Sequence, residues 1–205
     1  MKKLTVALLA IGLLTSCSTQ PKTPAEKPAP KPPEFETGRT AFQKMYIAAH
    51  GWARDAQPFS VESQPTSDSN NGQDGKSAIW HASFASTAGH GAKPYDWSGT
   101  DAAGAPARGI TPGTEDTYSP TNSSTQVFDI VYLKVDSDKA LEVAQKHGGE
   151  KLLAKNPDTP VIYKLDWNHN TSELMWHVIY GPSPDDAKLR VVVNASTGAF
   201  MRVDK

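Results

Sequence analysis

Two similar segments constrain the fold more strongly than any other feature of the sequence. Leu174–Tyr180 reads LMWHVIY and Ala78–Phe84 reads AIWHASF. Both are apolar, rich in aromatic or β-branched residues and bounded by turn-forming residues, which is typical of β-strands that are covered on at least one face. Two copies of one strand pattern predict two related structural units.

The Trp-His pair in each segment assigns the two faces of the strand. Side chains alternate along a strand, so each tryptophan points away from the adjacent histidine. We expect Trp80 and Trp176 to lie in the structural core. His81 and His177 should occupy matching positions on the outer, partner-facing side of the sheet.

The first 16 residues have the pattern of a secretory signal peptide. Lys2 and Lys3 precede a short apolar run from Leu4 to Leu14, and this order of charged and apolar regions is typical of such signals. The run is too short to span a bilayer, which takes about 20 apolar residues.

The signal ends in Leu14-Thr15-Ser16-Cys17, which resembles the lipobox of bacterial lipoproteins. The resemblance implies that Cys17 is acylated, for example with palmitate, and anchors the protein to a membrane of the bacterial cell envelope. An ordinary signal peptide followed by a lone cysteine is the alternative. Ser18 follows the cysteine where Asp could stand, and in Gram-negative lipoproteins this implies the outer membrane, on its periplasmic face or at the cell surface.

Composition narrows the classes of partner and chemistry. Cys17 is the only cysteine, so if it carries lipid there is no disulfide and no cysteine nucleophile. The net charge is −1 at pH 7 without a basic stripe, which argues against nucleic acid as a partner. Residues 17–36 are rich in proline and lysine and cannot form a core, which predicts a stiff, extended linker.

The first unit is predicted over residues 37–135. Thr40–Gln43 fits a capping box and starts an amphipathic helix that Pro58 ends, with Trp52 on the core side of the helix. A short strand over Phe59–Glu62 then precedes the first Trp-His strand.

Residues 87–126 are rich in glycine and proline and show little periodicity. Structureless stretches of this length are uncommon in compact domains, so the segment is either a functional loop or hides an element that the pattern does not reveal. We expect a partly ordered loop. Its aromatic residues Tyr95, Trp97 and Tyr118 either pin the loop onto the sheet or join the two strand histidines in a binding surface.

The second unit is predicted over residues 136–205, after a strand at Phe128–Val135. Asp136-Ser137-Asp138 offers N-caps to a helix that Gly148-Gly149 interrupts and Asn156-Pro157 ends. Strands follow at 161–167, 174–180, 189–194 and 199–203. Since each unit combines a helix with an antiparallel sheet, the predicted fold is α+β, with two tandem two-layer units after the signal peptide and linker.

The second unit resembles a PepSY-type domain. The similarity lies in the capped helix Ser137–Leu141, the central Trp176-His177-Val178 strand and the ending Val191–Phe200, in which Asn194 stands where Asp is usual. The first unit would be a diverged copy. The resemblance implies a role in inhibiting or regulating peptidases or in binding envelope proteins, so a secreted peptidase or another envelope protein is the implied partner.

No motif in the sequence predicts catalysis or a bound metal. Gly75-Lys76-Ser77 lacks the leading glycine of a phosphate loop, and the acidic residues around it lack the EF-hand order. The six histidines show no His-Glu-x-x-His or His-x-His spacing. Nucleophile motifs of hydrolases are also missing. We therefore expect no catalytic residue, no cofactor and no metal.

The sequence thus favours a lipid-anchored envelope protein that binds or regulates a protein or peptide partner and is not an enzyme. A small-ligand or metal carrier that uses the His81 and His177 face is the alternative. A hydrolase without a recognisable motif is a third interpretation.

Overall fold

A large antiparallel sheet with helices on one face forms the protein, in a computed structural model that describes residues 31–66, 68–123 and 125–204. The signal peptide, Cys17 and most of the linker lie outside the described residues. The elements in chain order are β1 Glu36–Thr37, α1 Gly38–Trp52, β2 Gln57–Gln64, β3 Lys76–Ser77, β4 Ile79–Ser86, β5 Gly91–Ser98, β6 Gly109–Pro112, β7 Asp116–Thr117, α2 Ser137–Ala144, α3 Glu150–Lys155, β8 Val161–Asn168, β9 Glu173–Tyr180, β10 Leu189–Asn194 and β11 Phe200–Asp204.

The main sheet has nine strands in the order β11-β10-β9-β8-β2-β4-β5-β6, with β7 also pairing with β5. Its strands from the first half of the chain are β2 to β7 without β3, and those from the second half are β8 to β11. The halves meet where β2 pairs antiparallel with β8, with Val61 opposite Leu165 and Glu62 opposite Lys164. The α+β class predicted from the sequence is confirmed, and the two halves share one sheet.

The helices cover one face of the sheet and bury its large apolar side chains. α1 packs on β2, β4 and β5, while α2 packs on β9 and β10. Trp80 and Trp176 are fully buried at the centre of this layer, with their ring centroids 6.4 Å apart in an edge-to-face arrangement. Such aromatic pairs stabilise a core by about 0.5–1.5 kcal/mol beyond the area they bury.

The two tryptophans make equivalent hydrogen bonds. Trp80 Nε1 donates to the carbonyl of Glu36, 2.9 Å away and two residues before α1 begins. Trp176 Nε1 donates to the carbonyl of Val135, 2.8 Å away and two residues before α2 begins. Each central strand is therefore tied to the start of its own helix.

The predicted capping box at Thr40–Gln43 is wrong, because α1 begins earlier. The helix starts at Gly38, its N-cap is Thr37, and Thr40 lies in the first turn. The amide of Gly38 donates to Ser137 Oγ at 2.8 Å and the amide of Arg39 donates to Asp136 Oδ1 at 2.8 Å. Side chains from the second half thus satisfy the first amides of α1, and a local capping box is not needed.

The second helical region follows the prediction closely. Asp136 is the N-cap of α2, with its side chain accepting from the amide of Ser137. A kinked turn, Gln145–Gly149, separates α2 from α3, and Gly148 adopts a φ of 116° there. Only glycine takes such a backbone conformation without strain.

The expectation of a partly ordered loop over 87–126 is wrong, since this segment contributes β5, β6 and β7 to the sheet. β5 alternates buried Tyr95 and Trp97 with partly exposed residues, but Gly91 and Pro94 mask the pattern. Pro94 removes one amide from the ladder, and the pairing with β4 continues on both sides of it.

The predicted strand at Phe128–Val135 is also wrong. Residues Ile130–Tyr132 form a 3₁₀ turn in which Asp129 caps the amide of Val131. The side chains of Ile130, Val131 and Tyr132 are 40%, 59% and 43% exposed. A side-chain cap competes with strand pairing, and the apolar composition alone does not reveal the competition.

The two edges of the sheet differ. At one edge β6 ends at Pro112 and is followed by the two-residue β7. At the other edge β11 pairs with β10 through a register shift between Val192 and Val193.

Within the described ranges, no helix is both long and apolar enough to cross a membrane.

Candidate functional site

The sheet face opposite the helices carries a continuous row of mostly polar side chains. Because residues opposite each other on neighbouring strands share a face, the strand register places them side by side. This row, called the outer row below, crosses eight strands and consists of Thr111, Asp96, His81, Glu62, Lys164, His177, Val192 and Arg202.

His81 lies in the outer row on β4 and is held at both ring nitrogens. Nδ1 is hydrogen-bonded to Asp96 Oδ1 on β5, and Nε2 to Gln64 Oε1 at 2.8 Å. The side chain of His81 remains 39% exposed. The ring is therefore fixed in orientation and still accessible from solvent.

His177 lies in the outer row on β9 and pairs with an acid from β8. Its Nε2 is 3.0 Å from Asp166 Oδ1, and its side chain is only 12% exposed. Burial raises the pKa of Asp166, but the hydrogen bond and charge of His177, together with the charges of Lys164 and Arg202, hold that pKa below its ordinary value. Asp166 therefore stays a carboxylate at neutral pH.

Both histidines lie on the sheet face opposite the tryptophans, and each has an aspartate partner. The two pairs are not equivalent, because Asp96 lies on the strand that follows His81 and Asp166 on the strand that precedes His177. The sequence did not reveal either aspartate as a partner, since the pairing depends on strand register. The position of Asp96 between the aromatic residues Tyr95 and Trp97 was the one local pattern that indicated an outward-facing side chain on a strand.

Two cavities open on or beside the outer row. One of about 390 Å³ is lined by Glu62, Gln64, His81 and the Pro182–Pro184 segment. Another of about 510 Å³ is lined by Lys164, Asp166 and residues of the β8–β9 turn. Both lie within the size range of ligand pockets, about 300–1,000 Å³.

Tyr95, Trp97 and Tyr118, predicted as candidate members of a binding surface, are buried. Their exposures are 4%, 4% and 7%, and the first two pack in the core under α1. That assignment is corrected, because the segment that carries them is part of the sheet and turns their rings inward. The other alternative, in which these rings pin the segment to the sheet, describes them better.

Trp52 lies at the rim of the core. It is partly buried, and its Nε1 donates to Glu115 Oε2 at 2.8 Å.

The described parts of the chain contain no group of three or more His, Cys, Asp or Glu side chains that could hold a metal ion. The outer row instead offers hydrogen-bonding and charged groups beside two cavities.

Comparison with known proteins gives a fold relation and no family. No family model matches the sequence, and no curated protein matches it. The fold is similar to a solved structure of a candidate lipoprotein from Clostridium difficile 630, with a TM-score of 0.54 and 10% sequence identity. The match covers 83% of this chain and 94% of that one. At this identity, the likeness extends to the fold alone.

Proposed function

We propose that this chain is a lipid-anchored protein of the bacterial cell envelope that binds a protein or peptide partner on the sheet face opposite the helices. The observation that carries the proposal is the outer row, a line of mostly polar and charged side chains on the sheet face opposite the helices. Specific interfaces need hydrogen-bonding groups held in place, and the paired histidines meet this requirement.

The lipid anchor rests on two lines of support. The Leu14–Cys17 segment resembles a lipobox, and the protein of similar fold is itself named as a candidate lipoprotein. Metabolic labelling with a palmitate analogue should modify the wild type, and Cys17→Ala should abolish the label. In a Gram-negative host, Ser18→Asp should move the protein from the outer to the inner membrane. Unlabelled wild type would overturn the anchor.

The finer form of the proposal is a tandem of two PepSY-like units that acts without catalysis, by restraining or regulating a secreted peptidase or another envelope protein. The equivalent hydrogen bonds of Trp80 and Trp176 support a duplication. The capped α2 and the β9–β11 meander support the PepSY-like arrangement of the second half.

Site-specific photocrosslinking in cells tests the binding face. A crosslinking residue at Thr111, at the end of the outer row, should trap one defined partner. The same residue at Ile47, which is 74% exposed on α1, is the matched control and should not. The partner must then bind the purified protein. Equal adducts from both positions, or none from Thr111, would contradict the proposal.

A small-ligand carrier is the second candidate, because two cavities flank the outer row. Native mass spectrometry of protein purified from its own cells separates the two candidates. A carrier should retain a bound small molecule, whereas a protein-binding module should have the mass of the lipidated chain alone.

A further inference from the structure

The cavity beside His81 has one polar and one apolar wall. Glu62, Gln64 and His81 form the polar wall, and Ile162, Pro182 and Pro184 form the apolar one. Its volume of about 390 Å³ exceeds the size of a single long side chain. The apolar wall is held in place because Arg190 Nη2 donates to the carbonyl of Pro184 at 2.8 Å.

Glu62 is the unpaired charge in this cavity. It lies between His81 and Lys164 in the outer row, yet both neighbours are engaged elsewhere. His81 is held by Asp96 and Gln64, and Lys164 lies 3.9 Å from Asp166. Glu62 is a half-buried residue, and across the described residues its carboxylate has neither a hydrogen bond nor an ion pair.

Two cationic side chains near the cavity, Lys164 and Arg190, make contacts with groups other than Glu62. Lys164 Nζ lies 3.9 Å from Asp166 Oδ2, and Arg190 Nη2 donates to the carbonyl of Pro184. A carboxylate without a partner can accept a charge-assisted hydrogen bond from a cationic group, and such bonds are stronger than those between neutral groups. The cavity therefore offers the carboxylate of Glu62 to a cationic group, and its apolar residues suit an aliphatic chain.

We propose that this cavity receives a lysine or arginine side chain presented by an extended peptide segment of the partner. The inference rests on the proposed function and names the chemistry of the contact. The ammonium or guanidinium group pairs with Glu62, and the aliphatic stem lies on Ile162 and Pro182. Long cationic side chains commonly bury their stems on apolar surface while the charged end meets a polar group.

Titration of the full-length protein in detergent with defined peptides tests the inference. The probes are acetyl-Ala-Val-Lys-Val-Ala-amide and its analogue with norleucine in place of lysine, which keeps the stem and removes the charge. We expect the lysine peptide to bind about tenfold more tightly, as expected for one charge-assisted contact. The side-chain amide signals of Gln64 should shift during the titration.

Two variants assign the preference to the cavity. Glu62→Gln keeps the shape of the side chain and should remove the preference for lysine. Glu150→Gln, an exposed position at the start of α3, is the matched control and should retain the preference. Both variants should keep the melting temperature of the wild type. Added salt should reduce the preference in the wild type, because the contact is an ion pair.

Equal binding of the two peptides, no binding of either at millimolar concentration, or an unchanged preference in Glu62→Gln would each overturn the inference. Crosslinks from Thr111 to a defined partner, together with indifference to lysine, would leave the proposed function standing and remove this contact. Loss of the crosslinks as well would reject both.

Discussion

Tyr180 places its hydroxyl beneath the kinked turn between α2 and α3, where residue 149 has no room for a side chain. A Cβ atom at Gly149 would lie 2.0 Å from the Tyr180 oxygen. Among the described residues this buried hydroxyl has no hydrogen-bond partner, and burial raises the pKa of Tyr180. The contact explains why the second glycine of the Gly148-Gly149 pair is needed.

Gly149→Ala should destabilise the protein by about 3 kcal/mol, because overpacking against a buried ring forces the helix to shift. Gly51→Ala is the matched control, since a Cβ there would meet nothing within 4 Å, and alanine should stabilise α1 by up to about 1 kcal/mol. Urea denaturation measures both changes. Similar changes in stability at the two positions would show that the contact with Tyr180 does not determine the effect of Gly149→Ala.

Asp166 predicts a specific loss of stability in acid. Its pKa is lowered in the folded protein, so its ionised form stabilises the fold above the unfolded pKa of about 3.9. That contribution is lost as the pH falls through the lower, folded-state pKa. Asp166→Asn should therefore cost stability at pH 6 and cost less at pH 2.5, as measured by denaturant unfolding.

Asp185→Asn is the control for this experiment. Its side chain is exposed, so the substitution should change the stability little at either pH. A cost of Asp166→Asn that does not vary with pH would contradict the assigned role of its ion pair with His177.

Single residues also show which structural features can be predicted from the sequence and which cannot. The burial of Trp80 and Trp176 and the outer position of both histidines follow from strand alternation, which is a local property. The partners Asp96 and Asp166, and the unpaired state of Glu62, depend on which strands pair and in which register. Register is set by the whole sheet, so no window of the sequence contains it.

At the scale of elements, one side chain serves two helices. Asp136 is the N-cap of α2. Its Oδ1 also accepts the amide of Arg39 at 2.8 Å, and its Oδ2 accepts the hydroxyl of Thr37 at 2.7 Å. A carboxylate at two helix N-termini interacts favourably with both helix dipoles.

Asp136→Ala should destabilise the protein by about 2–4 kcal/mol, roughly twice the cost of losing an ordinary N-cap. Asp138→Ala, in the first turn of α2 only, should cost about 0.5 kcal/mol through the helix dipole. Asp136→Asn should fall between them, because its amide group cannot accept from Thr37 while also accepting at Oδ1. Equal costs for the two alanine variants, measured by urea denaturation, would contradict the shared cap.

Elements were predictable where their pattern was uninterrupted. The helix after Asp136 and strands β8 to β11 follow directly from capping residues and alternation. β5 was missed because Gly91 and Pro94 obscure its alternating pattern, and Phe128–Val135 was misassigned because Asp129 caps a turn there. For β5 the pairing with β4 outweighed the local preference, whereas at Phe128–Val135 a local side-chain cap competed with strand formation.

At the scale of the whole molecule, the two halves share one sheet and one core. β2 and β8 pair at the boundary, the rings of Trp80 and Trp176 touch across it, and the 68–75 turn supplies the carbonyl of Gly75 to Ser137 Oγ at 2.6 Å. Neither half can keep its apolar face covered without the other.

Thermal or urea unfolding should therefore follow a single cooperative transition. Tryptophan fluorescence, which reports on both halves, and far-ultraviolet circular dichroism should give coincident curves. Fragments cut near residue 135 should be unfolded separately and regain structure when mixed. Two separated transitions would show that the halves are independent domains.

Pro112 in β6 and the register shift beside β11 give the sheet two edges that are poor templates for further strands. A flat edge with free amides invites intermolecular pairing, and proline or a bulge prevents it. Molecules crowded at high local concentration should consequently stay separate and should not elongate into amyloid-like fibres.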